Sequence, residues 1–193
     1  MRVAVVGVQG DVEEHVIAAK RAMENLGIDG EVIAVRKAGM VSKSDAVIIP
    51  GGESTTISKL IFRDGIADEI LQLAKEGKPI MGTCAGLIIL SKFGDEQVER
   101  TKTKLLGLLN VKIKRNAFGR QKESFQTRLQ MKGIGEVEAI FIRAPIIEEV
   151  GEGVEILAKL ENKIVAVQQG KILGLAFHPE LTTTRIHEYF LNL

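Results

Sequence analysis

The sequence predicts an α/β fold in which a mainly parallel sheet is covered by helices on both faces. Short β-rich runs alternate with helical patterns through the first half of the chain, and this alternation is typical of right-handed crossovers between parallel strands. The second half is richer in strands. Because ligands of such sheets bind where strands end at their carboxyl edge, the loops that follow strands are the places to look for chemistry.

The first half supplies the predicted parallel strands and their helices. Arg2–Val8 is apolar and β-branched and predicts a buried strand, and Glu31–Val35, Ala46–Ile49 and Pro79–Gly82 predict three more. Apolar residues at helical spacing predict the helices Val12–Leu26, Ile57–Phe62, Ile66–Lys75 and Ala85–Lys92.

The second half predicts further strands, a hairpin and a closing helix. Gly170-Lys171 is typical of a tight hairpin turn, Gly94–Lys104 is polar and predicts a surface loop, and Thr183–Leu193 predicts a short helix. The predicted strands are Gly107–Lys114, Phe125–Gln130, Ala139–Ile142, Ile156–Leu160, Ile164–Gln169 and Ile172–Phe177. Without a repeat or a linker, residues 1–193 are expected to form one domain.

Composition narrows the class of protein. Charged residues make up 26% with a net charge of +1, which argues against a chain built to bind nucleic acid or a membrane surface. An apolar run of membrane-spanning length and a signal peptide are both lacking, so a cytoplasmic location is expected. The single cysteine excludes an internal disulfide and is either inert or a reactive thiolate.

The segment Gly82-Thr83-Cys84-Ala85-Gly86 follows a predicted strand and precedes an apolar helical run. Glycines two residues before and after the central position are typical of a nucleophile elbow, here with Cys84 at its tip. A helix N-terminus favours the thiolate, and the Ala85 amide could stabilise an oxyanion. The alternative interpretation is a chance turn with a buried thiol.

Phe177-His178-Pro179-Glu180 lies at the edge of the sheet after another predicted strand. In an extended segment the two side chains point the same way, so Glu180 could orient His178 and leave its other ring nitrogen to accept the Cys84 proton. The alternative is an exposed turn. Of the other histidines, His15 and His187 lie on predicted helices, and a surface or packing role is preferred for His187.

Other candidate residues are less specific. The glycines of Pro50–Thr55 allow close backbone approach to a ligand, and Ser54 or Thr55 could cap the next helix. Arg115 with Asn116, and Arg143 before Pro145, could bind a carboxylate or could be surface residues. One cysteine and three scattered histidines do not form a zinc site, so no metal is expected.

The chain resembles the class I (triad) glutamine amidotransferase domain in three motifs, which occur in the order PGGEST, GTCAGLIIL and FHPEL. A wider set is similar to the family of glutaminase subunits of pyridoxal 5′-phosphate synthases. Its motifs here are Gln9-Gly10 with Glu14-His15, PGGESTT, GTCAGLIIL, GLLNV (107–111), RNAFGRQ (115–121), FIRAP (141–145) and FHPELT (177–182). These motifs run from residue 9 to residue 182, nearly the whole chain.

The resemblance implies a three-layer, flavodoxin-like α/β fold and hydrolysis of L-glutamine to glutamate and ammonia, without a cofactor. It implies that ammonia passes to a separate synthase subunit, which the Gln9–His15 region would contact. The implied catalytic residues are Cys84, His178 and Glu180, and the implied oxyanion-hole amides are those of Gly52 and Ala85. The implied substrate-binding residues are Gly52, Glu53, Ser54, Arg115, Ile142 and Arg143.

Three alternatives remain at this stage. A Cys-elbow hydrolase of the DJ-1 type often has its histidine directly after the nucleophile, whereas Ala85 follows Cys84 here. A binding module that had lost catalysis would be expected to lack part of the Cys-His-Glu set, which is complete. A glutaminase serving another synthase is disfavoured only by the resemblance of RNAFGRQ and FIRAP.

Overall fold

The structure is a computed structural model that describes residues 1–118 and 124–193. Arg120 and Gln121 of the RNAFGRQ motif lie outside the described residues. Among the residues described, no helix combines the length and the apolar character needed to cross a bilayer.

A central sheet organises the chain, and its strand order is β2-β1-β3-β4-β12-β11-β9-β6-β5, with β10 added beside β11 and a separate β7-β8 hairpin. The strands are β1 Arg2–Val6, β2 Glu31–Val35, β3 Ala46–Ile49, β4 Ile80–Thr83, β5 Ser91–Phe93, β6 Leu109–Lys114, β7 Ser124–Met131, β8 Gly135–Ile142, β9 Ile146–Val150, β10 Glu155–Leu160, β11 Lys163–Gln169 and β12 Ile172–Leu175.

The half of the sheet from β2 to β12 is parallel throughout, which confirms the predicted crossovers. Every residue of β3 and β4 is buried, as expected for strands covered on both faces.

The helices are α1 Val12–Leu26, α2 Ser54–Arg63, α3 Ile66–Lys75, α4 Ala85–Leu90, α5 Glu96–Arg100 and α6 Arg185–Leu191. α1 contacts α6, whereas α2 contacts α3 and α4, so two groups of helices flank the sheet.

The other half of the sheet is largely antiparallel. Gly170-Lys171 forms the predicted tight turn between β11 and β12, and Gly170 has a φ of 57°. β9 pairs antiparallel with both β6 and β11. The predicted α/β fold with a mostly parallel central sheet is therefore confirmed, with an antiparallel extension at one edge.

Two local predictions are wrong, and one strand was missed. The predicted loop Gly94–Lys104 contains α5, which the side chain of Asp95 caps by accepting hydrogen bonds from the Gln97 and Val98 amides. The predicted helix Ala85–Lys92 ends at Leu90, and its last residues belong to β5. β9 was not predicted, because its glutamates obscure the alternation expected of a strand.

The turn from β4 into α4 holds Cys84 in a backbone conformation that L residues rarely adopt, with φ 49° and ψ −102°. A Cβ atom on Gly82 would lie 2.6 Å from the carbonyl carbon of Gly86. A Cβ atom on Gly86 would overlap the carbonyl oxygen of Ile49 on β3. The two glycines therefore allow α4 to pack directly on the backbone of β3 and β4, and this packing fixes the turn.

Gly86→Ala is expected to lower the free energy of unfolding by about 3 kcal/mol, although alanine normally favours a helix, because the new methyl group has no space beside Ile49. Urea unfolding measures the change. Gly77→Ala is the control, since its Cβ would meet nothing within 4 Å and only its φ of +69° is unfavourable, which costs about 1 kcal/mol. Equal losses in the two variants would contradict the packing argument.

Candidate active site

A cavity of about 470 Å³ opens where β3, β4 and β12 end, and nine of the predicted site residues line it. These are Gly52, Glu53, Ser54, Cys84, Ala85, Arg115, Ile142, Arg143 and His178. Glu180 does not line the cavity and lies behind His178, with a fully buried side chain. Asp11 and Ile88 also line it and were not predicted there.

Cys84 reaches this cavity although only 7% of its surface is exposed. Its amide donates a hydrogen bond to the carbonyl of Leu175 on the neighbouring strand β12, at 2.8 Å. Its thiol lies 3.7 Å from the carbonyl oxygen of Ile142. The sulfur is therefore held at the cavity wall and is not enclosed in hydrocarbon.

His178 is fixed by its backbone and by Glu180. Its amide donates to the carbonyl of Ile140 at 2.9 Å, and its Nδ1 lies 2.7 Å from Glu180 Oε1. The segment is not extended as predicted, because Pro179–Leu181 forms one turn of 3-10 helix. That turn brings the carboxylate back toward the ring and produces the predicted His-Glu contact by a different geometry.

The surroundings of His178 favour its protonated form. Burial lowers the pKa of His178, but hydrogen bonds with Asp11, Cys84 and Glu180 outweigh burial and raise the pKa above its usual value. Nε2 is buried, borders the cavity side of the ring and has no hydrogen-bond partner among the described residues. The pKa of Glu180 is raised by burial, which the hydrogen bond to His178 offsets in part. The arrangement suits a protonated imidazole beside the Cys84 sulfur.

Asp11 is a second carboxylate beside the same imidazole. Its Oδ2 lies 3.3 Å from His178 Nδ1, and the hydrogen bond with His178 lowers the pKa of Asp11. Sequence analysis missed this contact, because Asp11 looked like an ordinary acidic residue at the start of a helix. The Gln9-Gly10 motif before it was the available signal, since it follows the end of β1 at the same edge of the sheet.

Asp11, His178 and Glu180 have potential metal-ligand atoms within 4.8 Å of one another, a grouping that the scattered histidines of the sequence did not suggest. Both carboxylates approach the same nitrogen, Nδ1. A metal bound there would displace the proton that joins His178 to Glu180. The geometry therefore fits proton chemistry on the imidazole better than a metal centre.

The loop after β3 joins the cavity to the start of α1. The Asp11 amide donates to the Gly51 carbonyl at 3.2 Å, and the Glu53 amide donates to Gln9 Oε1 at 2.8 Å. A Cβ atom on Gly10 would overlap the Gly51 oxygen, so the two loops meet backbone against backbone. The positions of Gly51 and Gly52 thus depend on the Gln9–Asp11 segment.

The cap of α2 differs from the prediction. Glu53, and not Ser54 or Thr55, caps the helix, since its carboxylate accepts from the amides of Thr55 at 3.0 Å and Thr56 at 2.7 Å. Ser54 Oγ is buried and has no hydrogen-bond partner among the described residues. A buried hydroxyl without a partner at a cavity wall is ready to bind a polar ligand.

Two arginines, Arg115 and Arg143, also line the cavity. An Arg115 guanidinium nitrogen lies 3.8 Å from Glu53 Oε1, and the Ala117 amide donates to the Ala144 carbonyl at 3.2 Å, which joins the Arg115 and Arg143 loops. Asn116 and Arg143 have φ values of 48° and 45°. Such strained residues cluster at binding sites, where the surrounding structure holds them in place.

Comparison with known proteins gave consistent matches. A family model described as the SNO glutamine amidotransferase family matches residues 5–193. The pyridoxal 5′-phosphate synthase subunit PdxT of Archaeoglobus fulgidus is 74% identical, with 100% of this chain and 98% of that protein covered. PdxT of Thermococcus kodakarensis is 51% identical, also with 100% and 98% covered.

Solved structures agree with the fold. One described as a glutamine amidotransferase superposes with a TM-score of 0.87 and 46% identity, covering 98% of this chain and 97% of that one. PurLQS from Thermotoga maritima gives a TM-score of 0.69 at 17% identity, covering 99% of this chain and 97% of that one, a likeness of fold alone.

Asp11→Asn is expected to lower the pKa of His178, because it removes one of the two carboxylates that stabilise the imidazolium. The NMR titration midpoint of the His178 ring should fall by about one pH unit. Glu24→Gln makes the same change of charge at an exposed position of α1 and should leave the midpoint in place. An unchanged midpoint in Asp11→Asn would mean that the contact has no electrostatic effect.

Proposed function

We propose that this chain, which belongs to the SNO glutamine amidotransferase family, hydrolyses L-glutamine to L-glutamate and ammonia as the glutaminase subunit of a pyridoxal 5′-phosphate synthase. Residues 1–193 act as a single glutaminase domain in this proposal. The observation that carries it is the convergence of Cys84, His178 and Glu180 at one edge of the sheet, with Nδ1 of His178 2.7 Å from Glu180.

The cavity has features that suit glutamine. Its volume of about 470 Å³ lies within the range of small-molecule sites. Arg115 offers a planar cation to the α-carboxylate, and Arg143 lies on the same side. Glu53 offers a carboxylate to the α-ammonium group, and the Ser54 hydroxyl is free to bind a polar atom of the substrate. The backbone at Ile142 completes the wall beside the sulfur.

The reaction begins with attack on the side-chain amide. The Cys84 thiolate adds to the amide carbon, and the Gly52 and Ala85 amides stabilise the oxyanion that forms. The His178 imidazolium donates its proton to the amide nitrogen as the carbon–nitrogen bond breaks. Ammonia leaves, and a γ-glutamyl thioester on Cys84 remains.

Hydrolysis of the thioester restores the enzyme. Neutral His178 takes a proton from water, whose oxygen attacks the thioester carbon, and the same two amides stabilise the second oxyanion. Collapse expels the Cys84 thiolate and releases glutamate, while His178 keeps the proton for the next cycle. Glu180 orients the ring and stabilises its charge throughout. This chemistry uses no cofactor or metal.

A different Cys-elbow hydrolase is the competing function. The cavity argues for the amidotransferase, because its histidine comes from the loop after β12 and Ala85 occupies the position after the nucleophile.

A single free Cys84 at the site also suits a reducing compartment, so the proposed location is the cytoplasm. The proposed partner is the synthase subunit in a heteromeric complex, without nucleic acid or membrane.

Incubation with a glutamine-mimicking diazo-ketone is expected to add one glutamyl analogue to the wild-type chain, which intact-mass and peptide mass spectrometry would locate at Cys84. Cys84→Ala should give no adduct and should lose glutaminase activity by a factor on the order of 10⁴ or more, because the covalent route is removed. Labelling of Cys84→Ala, or labelling of the wild type at another residue, would reject the mechanism.

The synthase partner is expected to raise the glutaminase rate. The loop that carries Gly52 is bonded to Gln9 and Asp11, so a protein that contacts the Gln9–His15 segment can rearrange the Gly51-Gly52 peptide and complete the oxyanion hole. Completing one oxyanion donor corresponds to about a hundredfold in rate. Steady-state glutamate release with and without the synthase subunit measures this, and equal rates would rule out activation by docking.

A further inference from the structure

Three buried groups beside the proposed triad have no role in the mechanism above. They are His15 on α1, Thr83 at the end of β4 and His187 on α6, and all three residues are 0% exposed. They connect to one another and to Glu180 through the side chain of His15. Buried polar groups need partners, so the arrangement of the protons among them is constrained.

His15 approaches the carboxylate oxygen of Glu180 that His178 does not use. Its Nε2 lies 3.2 Å from Glu180 Oε2 and 3.0 Å from Thr83 Oγ1. Its Nδ1 lies 3.0 Å from His187 Nε2. Oε2 has no hydrogen-bond partner among the described residues, so His15 Nε2 lies close to it without the alignment of a hydrogen bond.

Both histidines are neutral near pH 7. Burial, followed by the charges of His187 and His178, lowers the pKa of His15 well below its usual value. Burial lowers the pKa of His187 to about 4, although the charge of Glu188 and a backbone contact at Thr183 act in the opposite direction. Each ring therefore carries one proton, and the position of that proton is decided by its neighbours.

We propose that His15 is a positioning residue for the triad, and that it carries its proton on Nε2 and holds Glu180 against His178. The proposal deepens the proposed glutaminase function, on which it rests. If Nε2 lacked a proton, its lone pair would face the carboxylate oxygen at 3.2 Å in a dry environment, which is unfavourable. With the proton on Nε2, His15 makes a charge-assisted contact with Oε2 and leaves Oε1 for His178.

This assignment fixes the donor and acceptor roles of the neighbouring rings, and it leaves His187 Nδ1 as a buried nitrogen without a hydrogen-bond partner among the described residues. An Nε2 proton makes His15 Nδ1 an acceptor, so His187 Nε2 must be the donor at 3.0 Å. Thr83 Oγ1 can accept from His15 or donate elsewhere, since a hydroxyl does both. The elements that face His15 thus supply one hydroxyl, one neutral imidazole and one carboxylate, with Asp11 one turn earlier on its own helix and His178 beyond Glu180.

Two variants of His15 test the contacts of its two ring nitrogens separately. In His15→Gln the side-chain amide can reach the position of Nε2 and keep the contact with Glu180. In His15→Asn the amide reaches only as far as Nδ1, so the link to His187 is kept and the link to Glu180 is lost. Both replacements are polar and neutral, and thermal unfolding of the full chain checks that each folds.

In the complex with the synthase subunit, His15→Asn is expected to lower kcat for glutamine by about tenfold or more and to leave KM unchanged. The His178 imidazole would no longer be held in place by Glu180, whereas the substrate cavity would be intact. The NMR titration midpoint of His178 should fall by about one pH unit, as the Glu180 contact weakens. His15→Gln should keep both values near those of the wild type. Equal behaviour of the two variants, when both are folded, would overturn the proposal.

A measurement on the wild-type chain decides the matter even if neither variant folds. With ¹⁵N-labelled histidine the full chain gives only three imidazole spin systems. A neutral Nε2–H tautomer of His15 near pH 7 supports the proposal, and an Nδ1–H tautomer or an imidazolium overturns it. These spectra do not require turnover, so a chain that fails to hydrolyse glutamine yet shows the expected tautomer would refute the proposed function and not the role of His15.

Discussion

The parallel pairing of β4 with β12 is the constraint on which the rest of the site depends. The two strands are far apart in sequence, but their register places Thr83 beside Leu175, and the Cys84 amide continues the ladder by donating to the Leu175 carbonyl. The loops after both strands therefore leave the sheet side by side. Cys84 and His178 line one cavity because backbone hydrogen bonds hold these two strand ends together.

Electrostatics at this edge follow from unequal burial of similar groups. His178 borders the cavity and is stabilised as a cation by the carboxylates of Glu180 and Asp11. His15 and His187 are fully enclosed, and burial keeps them neutral. Histidines in one connected region thus have different charge states. In the proposed mechanism His178 transfers protons, while His15 contacts Glu180 and His187 contacts His15.

Sequence patterns predicted the parts of the site that are local. The elbow around Cys84 and the His178-Pro179-Glu180 segment are short motifs, and their positions after strands followed from the alternation of elements. The predictions failed where distant elements meet. His15 has the spacing of an ordinary helical residue, and only the packing of α1 on α6 and on the turn at Glu180 reveals its contacts. One local prediction also failed: Glu53 caps α2 in place of Ser54, because its side chain folds back onto the amides of Thr55 and Thr56.

The contact of Gly10 with Gly51 has a consequence for chimaeric proteins. A Cβ atom on Gly10 would meet only backbone atoms of Gly51 and Gly52, so no side chain can be shortened to make space for it. A Cβ atom on Gly51 would lie 2.5 Å from Cε1 of His178 and 2.8 Å from Oδ2 of Asp11, and shortening either side chain would remove a group from the cavity. In a chimaera of two relatives, the contact between residues 10 and 51 is therefore kept when both parents have glycine at each position. The segments around these two residues are best taken from the same parent.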